Sequence, residues 1–430
     1  MSATGGLSTR NVTAAVAGNA IEFYDFITYA FFAVQIGRVF FPAHSAYASL
    51  MLSLGTFGAG FAMRPIGGIV IGRYADRVGR KPAMILCLVM MGGAILAAAL
   101  TPSYAAIGLA APALFLVARM AQGFALGGQV GSTTAFLMEA APVRQRGFYT
   151  AWQVASQYCA GLAGGMIGFV LSLLMSAGQL EAYGWRIAFA LGALALPAGL
   201  FLIRTVPETL HAADRVVQGS AARSDWALCL EHRRVIVLGL VTLASATIFT
   251  YTTNYMTTYA ETVLHLGTAV AFSATVIMGA SGIAGNLFGG WLSDRFGRWP
   301  VMVWPRAIFI VLVWPLYSWM TTQHSATALL CTSAVLVLLG GISFGPFAAA
   351  LTESLPKTIR GSTFGTTYAL SIAIFGGTTQ PIVTWLIHLT GNPLAPAWYL
   401  IASGVFGVVS TALMTETAPA RSGLVPAPAE

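Results

Sequence analysis

Twelve runs of apolar residues, each about 20 to 30 residues long, follow one another along this chain. They fall at roughly 12–41, 47–74, 82–101, 106–140, 147–177 and 184–205, and then at 235–262, 267–293, 299–321, 325–355, 361–389 and 395–415. Each is long enough to cross hydrocarbon as a tilted helix. Only 8% of the 430 residues are charged and 57% are hydrophobic, against roughly 25% charged in ordinary soluble domains. A soluble core could not hide that much apolar surface, so the chain reads as an all-α integral membrane protein embedded in a lipid bilayer.

A polar phrase interrupts the runs twice. Gly72-Arg-Tyr-Ala-Asp-Arg-Val-Gly-Arg80 returns as Gly290-Trp-Leu-Ser-Asp-Arg-Phe-Gly-Arg298. Glu139-Ala-Ala-Pro142, followed by Arg146-Gly147, returns at nearly the same offset as Glu353-Ser-Leu-Pro356, followed by Arg360-Gly361. Two matches at one offset imply two homologous halves in parallel order. The expected organisation is therefore two pseudosymmetric six-helix bundles, 1–206 and 235–417. A polar linker at 207–234 joins them, and a Pro/Ala-rich tail at 418–430 is expected to be disordered.

The formal charge of +8 does not point to nucleic acid, because the basic residues form no single patch with interleaved aromatics. They alternate between connections instead. Arg73, Arg77, Arg80 and Lys81 share one, Arg144 and Arg146 the next but one, and the series continues through Arg233, Arg234, Arg295, Arg298, Lys357 and Arg360. The connections near Pro42, Thr101, Thr321 and Gly391 carry none. The positive-inside rule then puts the basic loops and both termini in the cytoplasm, for a multi-pass protein of a bacterial-type inner membrane. The first apolar run carries Glu22 and Asp25 and lacks a cleavage pattern, so it is expected to be a retained helix. The four cysteines show neither metal-ligand spacing nor a disulfide framework. No P-loop, zinc-protease helix, nucleophile elbow or dinucleotide fingerprint occurs, so neither an enzyme nor a cofactor or metal is expected. Uphill transport would have to draw on an ion gradient.

An ionised side chain at the bilayer centre costs on the order of 2.5 to 3.5 kcal/mol, so each needs a partner, a wet cavity or a function. The clear cases are Glu22 and Asp25 in the first run, Arg64 in the second and Arg119 in the fourth. Asn19, Glu22, Asp25 and Tyr29 recur at three- and four-residue steps, so one face of the first helix should line a cavity. Arg119, Gln122 and Gln129 form a rough stripe in the fourth, and Gln153, Ser156 and Gln157 another in the fifth. The second half offers neutral groups, among them Tyr251, Tyr255, Asn286, Tyr368 and Gln380, while Arg306 is placed to snorkel toward the cytoplasmic surface. At the inner mouth Asp76, Arg77, Arg80, Glu139 and Arg146 would form one latch, and Asp294, Arg295, Arg298, Glu353 and Arg360 its counterpart. The pairs Gly123/Gly127, Gly161/Gly165 and Gly285/Gly289 have the spacing of close helix packing.

The duplicated phrase resembles the loop motif of the major facilitator superfamily. Within it, Gly18-Asn19-Ala-Ile-Glu22-Phe-Tyr-Asp25-Phe, Met63-Arg64-Pro65-Ile-Gly67 and Arg119-Met-Ala-Gln122-Gly123 are similar to the metabolite/proton symporter family. Trp152-Gln153 to Ser156-Gln157 and Leu389 to Trp398 look most like its citrate and tricarballylate branch. Gln129 departs from that pattern, standing where many members have an acid. The resemblance implies proton-driven uptake of a tricarboxylate such as citrate by alternating access, in a monomer. Another organic acid or a betaine, and sodium in place of the proton, stay open at this point. Arg119 is then expected to meet a substrate carboxylate, with Asn19, Tyr29, Gln122, Gln153, Gln157, Tyr255 and Tyr368 around the substrate. Glu22 and Asp25 would carry the coupling proton, since burial disfavours a lone carboxylate and a nearby cation favours it.

Overall fold

The computed structural model describes residues 9–78, 80–127, 134, 137–138, 141–193, 197, 230–356 and 360–419, and every regular element among them is helical. The first half contains α1 (Thr9–Phe31), α2 (Ala33–Phe40), α3 (Ala46–Val78), α4 (Arg80–Leu100), α5 (Ala110–Leu126), α6 (Arg146–Leu174) and α7 (185–193). The second contains α8 (Arg233–Asn254), α9 (Met256–Thr262), α10 (Thr268–Phe296), α11 (Arg298–Gln323) and α12 (Ala326–Phe344). It ends with α13 (Phe347–Glu353), α14 (Arg360–Ser371), α15 (Gly377–Thr390) and α16 (Ala395–Ala412). Among the described residues, eight helical stretches are long and apolar enough to cross a membrane, and Ile85–Leu100 and Ala110–Leu126 are shorter apolar helices. Leu100, Leu174, Val311 and Phe406 project outward with most of their surface uncovered, as side chains that meet lipid do. Most of the expected linker, 207–229, and of the tail, 420–430, lies outside the described residues.

Several expected spans are interrupted rather than continuous. The first breaks at Phe32 between α1 and α2, and the seventh breaks at Tyr255 between α8 and α9. The tenth breaks at Gly345-Pro346, where proline cannot donate to the preceding turn. In the eleventh, Ile372–Gly376 is wound as a π-helix, a local widening found mostly at functional positions.

Backbone contact at glycine sets how the helices pack. Gly123 of α5 lies against the backbone of Gly60 in α3, and Gly127 just beyond α5 lies against that of Arg64. Gly285 and Gly289 press on the α12 backbone, whereas Gly161 faces Ile27 of α1 and Gly165 faces Thr275 of α10. Between the halves, α6 and α10 run antiparallel and touch along their lengths, from Gly147 against Gly290 at one end to Gly168 against Phe272 at the other. On the other flank, a Cβ added to Gly58 of α3 would fall 2.7 Å from the Gly377 carbonyl oxygen of α15. The halves therefore meet through glycines, into which side chains such as Phe272 and Tyr158 fit, and through ring contacts such as Phe32–Phe272 and Phe61–Tyr251.

Gly123→Val should lower the melting temperature of the purified protein and broaden its size-exclusion peak. Overpacking of this kind costs about 1 to 3 kcal/mol or more. Gly55→Ala, where an added methyl meets nothing within 4 Å, should leave both readouts unchanged.

Candidate functional site

The polar face of α1 divides between two tasks. Asn19 donates through Nδ2 to the Gln153 carbonyl at 3.0 Å and to Ser156 Oγ at 2.6 Å, tying α1 to α6. One turn and a half further on, Asp25 is fully buried and forms an ion pair with Arg119 of α5 at 3.0 Å. Gln122, one turn beyond Arg119, accepts a second hydrogen bond from the same Nη1. The guanidinium also lies 4.0 Å over the ring of Tyr29, whose hydroxyl donates to the Ser53 carbonyl at 2.8 Å. Arg119 is 1% exposed, and its Nε and Nη2 are without hydrogen-bond partners, as are Asp25 Oδ1 and Gln122 Nε2. A paired but unsaturated cluster of this kind can accept another polar group without dismantling the fold.

Arg64 is handled differently. Its guanidinium is 4.5 Å from the ring centre of Phe26 and 4.7 Å from that of Phe61, with Phe23 also within reach. It is 3% exposed, has no carboxylate partner among the described residues, and keeps Nε and Nη2 unpaired. Tyr251 and Tyr368, from the second half, are its electrostatic neighbours. Both tyrosines line a cavity between the halves, together with Phe23, Gln157 and Asn254. Gln157 Nε2 donates to the Tyr368 hydroxyl at 3.1 Å, so an amide-phenol hydrogen bond bridges the cavity. Aromatic faces attract a cation but supply no charge to neutralise it, which leaves Arg64 the basic group best placed to receive an anion from this cavity.

The second copy of the duplicated phrase forms a compact charge network. Gly297 sits at φ 103, a conformation that only glycine adopts without strain, and it turns the chain between α10 and α11. That reversal brings Arg298 back onto Asp294 at 2.6 Å and onto both oxygens of Glu353, at 3.1 and 3.2 Å. Asp294 in turn accepts from the backbone N–H groups of Gly147 and Phe148, both at 2.9 Å. A carboxylate at the C-terminal end of its own helix is unfavourable, but here it addresses the N-terminus of α6, where the dipole and free N–H groups favour it. The contact crosses between the halves and latches them at this end.

The structure brings some of the expected site residues together and separates others. Asp25, Arg119, Gln122 and Tyr29 come together as one cluster, and Gln157 and Tyr368 meet across the cavity. Asn19 and the Gln153 backbone instead join two helices. Tyr255 packs with Met256 and Tyr259 in a separate apolar cluster and does not line the cavity. Arg295 stacks over Trp291 at 4.2 Å, outside the latch, and Arg146 forms no ion pair among the described residues. Arg306 does not snorkel: it is 7% exposed, enclosed by α8, α12 and α16. The side chains of Glu22, Asp76, Arg77, Arg80 and Arg360, and Gln129 and Glu139 entirely, lie outside the described residues. Glu416 was not anticipated. It accepts from the backbone N–H of Arg298 at 2.8 Å and of Trp299 at 3.0 Å, capping α11, while Thr417 donates to Glu353 at 2.8 Å. Its only sequence signal was an acid just beyond the last apolar run.

A family model described as the Major Facilitator Superfamily matches residues 16–378. The citrate-proton symporter of Salmonella typhi is 37% identical over 398 residues, covering 92% of this chain and 92% of that protein. The citrate-proton symporter of Klebsiella pneumoniae is 35% identical over 412 residues, covering 96% of this chain and 93% of its own length. A crystal structure of a D-xylose-proton symporter superposes with a TM-score of 0.77 at 20% identity, over 96% of this chain and 99% of that one, a likeness of fold.

Two outcomes test the site's geometry. Asp25→Ala leaves the Arg119 charge buried without its partner, a loss of about 3 to 5 kcal/mol; the melting temperature should fall, and Asp25→Leu combined with Arg119→Met should recover most of it. Asp294→Asn removes the charge facing α6 and should weaken the latch by about 1 to 2 kcal/mol. A cysteine at buried Thr150, in a background without the four native cysteines, should then react faster with maleimide than when Asp294 is intact.

Proposed function

Because this chain belongs to the major facilitator superfamily of membrane transporters, we propose that it is a proton-coupled symporter taking up a tricarboxylate such as citrate by alternating access. The observation that carries the reading is Arg64, a buried guanidinium with no carboxylate partner among the described residues, beside a cavity lined by hydroxyl and amide groups. An anion with several carboxylates supplies the charge that this site lacks. That favours an organic acid over a betaine.

Coupling follows from competition for one cation. With Asp25 ionised, Arg119 is neutralised by it. A proton on Asp25 removes that charge and frees Arg119 for a substrate carboxylate, while departure of the substrate lets Arg119 recapture Asp25 and expel the proton. Tyr29 holds the guanidinium in place from its ring face, and Gln122 keeps one donor occupied in both states. Glu22 is a second candidate for the proton. Gln157 and Tyr368 would orient the substrate by hydrogen bonding, and parting them opens the cavity.

In this reading residues 1–206 and 235–417 are the two bundles that rock about the α6–α10 contact. The Asp294–Arg298–Glu353 latch closes the cytoplasmic mouth, both termini face the cytoplasm, and a monomer in the inner membrane suffices for function.

Labelled citrate should accumulate in proteoliposomes under an imposed inward proton gradient, and an uncoupler should abolish the accumulation. Absence of citrate uptake in a demonstrably folded preparation would overturn the substrate assignment. Arg64→Gln should raise the half-saturating citrate concentration by about tenfold or more, the scale of one lost charge-assisted hydrogen bond.

A further inference from the structure

A second unmatched cation lies in the other half. Arg306 of α11 is 93% buried by its 7% exposure, its Nη1 has no hydrogen-bond partner, and no carboxylate of the described residues pairs with it. The described acids of this half are all committed or distant: Asp294 and Glu353 to Arg298, Glu416 to the start of α11, Glu261 to Gln35, and Glu231 to the exposed surface. Arg306 lines a small cavity with Ser245, Asn286, Ser343 and Ser403. The cavity adjoins the central one, sharing Val154, Tyr158, Ala246, Thr250 and Phe344 as common wall. Asn286 is 1% exposed there, with Nδ2 donating to the Gly282 carbonyl at 2.8 Å and Oδ1 left without a donor. One annexe thus holds an unmatched cationic donor and an unmatched neutral acceptor.

Resting on the reading of a carboxylate substrate, we propose that this annexe is a second anion subsite, in which Arg306 takes one carboxylate and Asn286 Oδ1 accepts a hydrogen bond from a neighbouring hydroxyl. Its preferred ligand group is a hydroxycarboxylate. A polyanion spanning Arg64 and Arg306 would draw the two halves together around it, so the subsite also ties closure to occupancy. An unpaired buried cation lowers the stability of the empty protein, which sets a binding role apart from a structural one.

The test compares citrate with propane-1,2,3-tricarboxylate, which has the same three carboxylates and no hydroxyl. Half-saturating concentrations are read from uptake and from ligand-induced melting shifts of the full chain. The wild type should favour citrate by about tenfold. Arg306→Gln should weaken both compounds by about tenfold or more, without lowering the ligand-free melting temperature, and Arg306→Lys should lie between. Asn286→Ala should weaken citrate alone. Unchanged affinities in Arg306→Gln, or a ligand-free melting temperature that falls while affinities hold, would overturn the subsite; equal weakening of both compounds by Asn286→Ala would overturn the hydroxyl contact. If the wild type binds neither tricarboxylate, the substrate assignment fails by itself. Acetate and lactate then serve as probes: a melting shift in the wild type that is absent in Arg306→Gln retains the anion subsite, and no shift in either removes it.

Discussion

A guanidinium surrounded by hydrocarbon must be neutralised, delocalised against aromatic rings or left as a standing electrostatic cost, and this protein does all three. Arg119 meets Asp25, Arg64 rests on Phe26 and Phe61, and Arg306, among serines and an asparagine, has no ion pair with a described residue. The three solutions define three roles in the proposed transport cycle. A paired cation can exchange partners when its acid is protonated, a cation on aromatic faces can anchor an anion, and a solitary one gains most when an anion arrives.

The frame that carries these groups packs differently within each half and between the halves. Within the first half, α3 and α5 approach until glycine backbones touch, and such contacts leave little freedom. Between the halves the contact is a line of small residues along α6 and α10, plus the Gly58–Gly377 approach on the opposite flank. Specific polar contacts also cross between the halves. Asp294 on the α6 N-terminus secures one end, the Gln157–Tyr368 hydrogen bond crosses the middle, and Gln35 donates to Glu261 elsewhere between the halves. Each is worth only a few kcal/mol, a scale that ligand binding or protonation can match.

The duplicated phrase shows how a short motif encodes geometry. Its second glycine, Gly297, is demanded by a positive φ, its aspartate by the N-terminus of a neighbouring helix, and its last arginine by two acids at once. The middle arginine, Arg295, has no part in that network and stacks on Trp291 at the surface. Treating every charge of the phrase as latch therefore assigned one residue too many, and Glu416 and Thr417, which complete the network from the far end of the chain, could not be seen in the phrase at all.

Read alone, the amino-acid sequence determined the membrane location, the spans and the duplication, because hydrocarbon thickness sets a run length and a repeat sets an offset. It also marked Asp25, Arg64 and Arg119 as exceptional, since charges at membrane depth are costly wherever they point. Only the tertiary structure decided that Asp25 chooses Arg119, that Arg64 faces tyrosines of the other half, and that Arg306 turns inward instead of toward the surface. Helical periodicity says which residues share a face, but the partner across that face depends on the rotation and depth of a helix many residues away, and those are set by where backbones can touch.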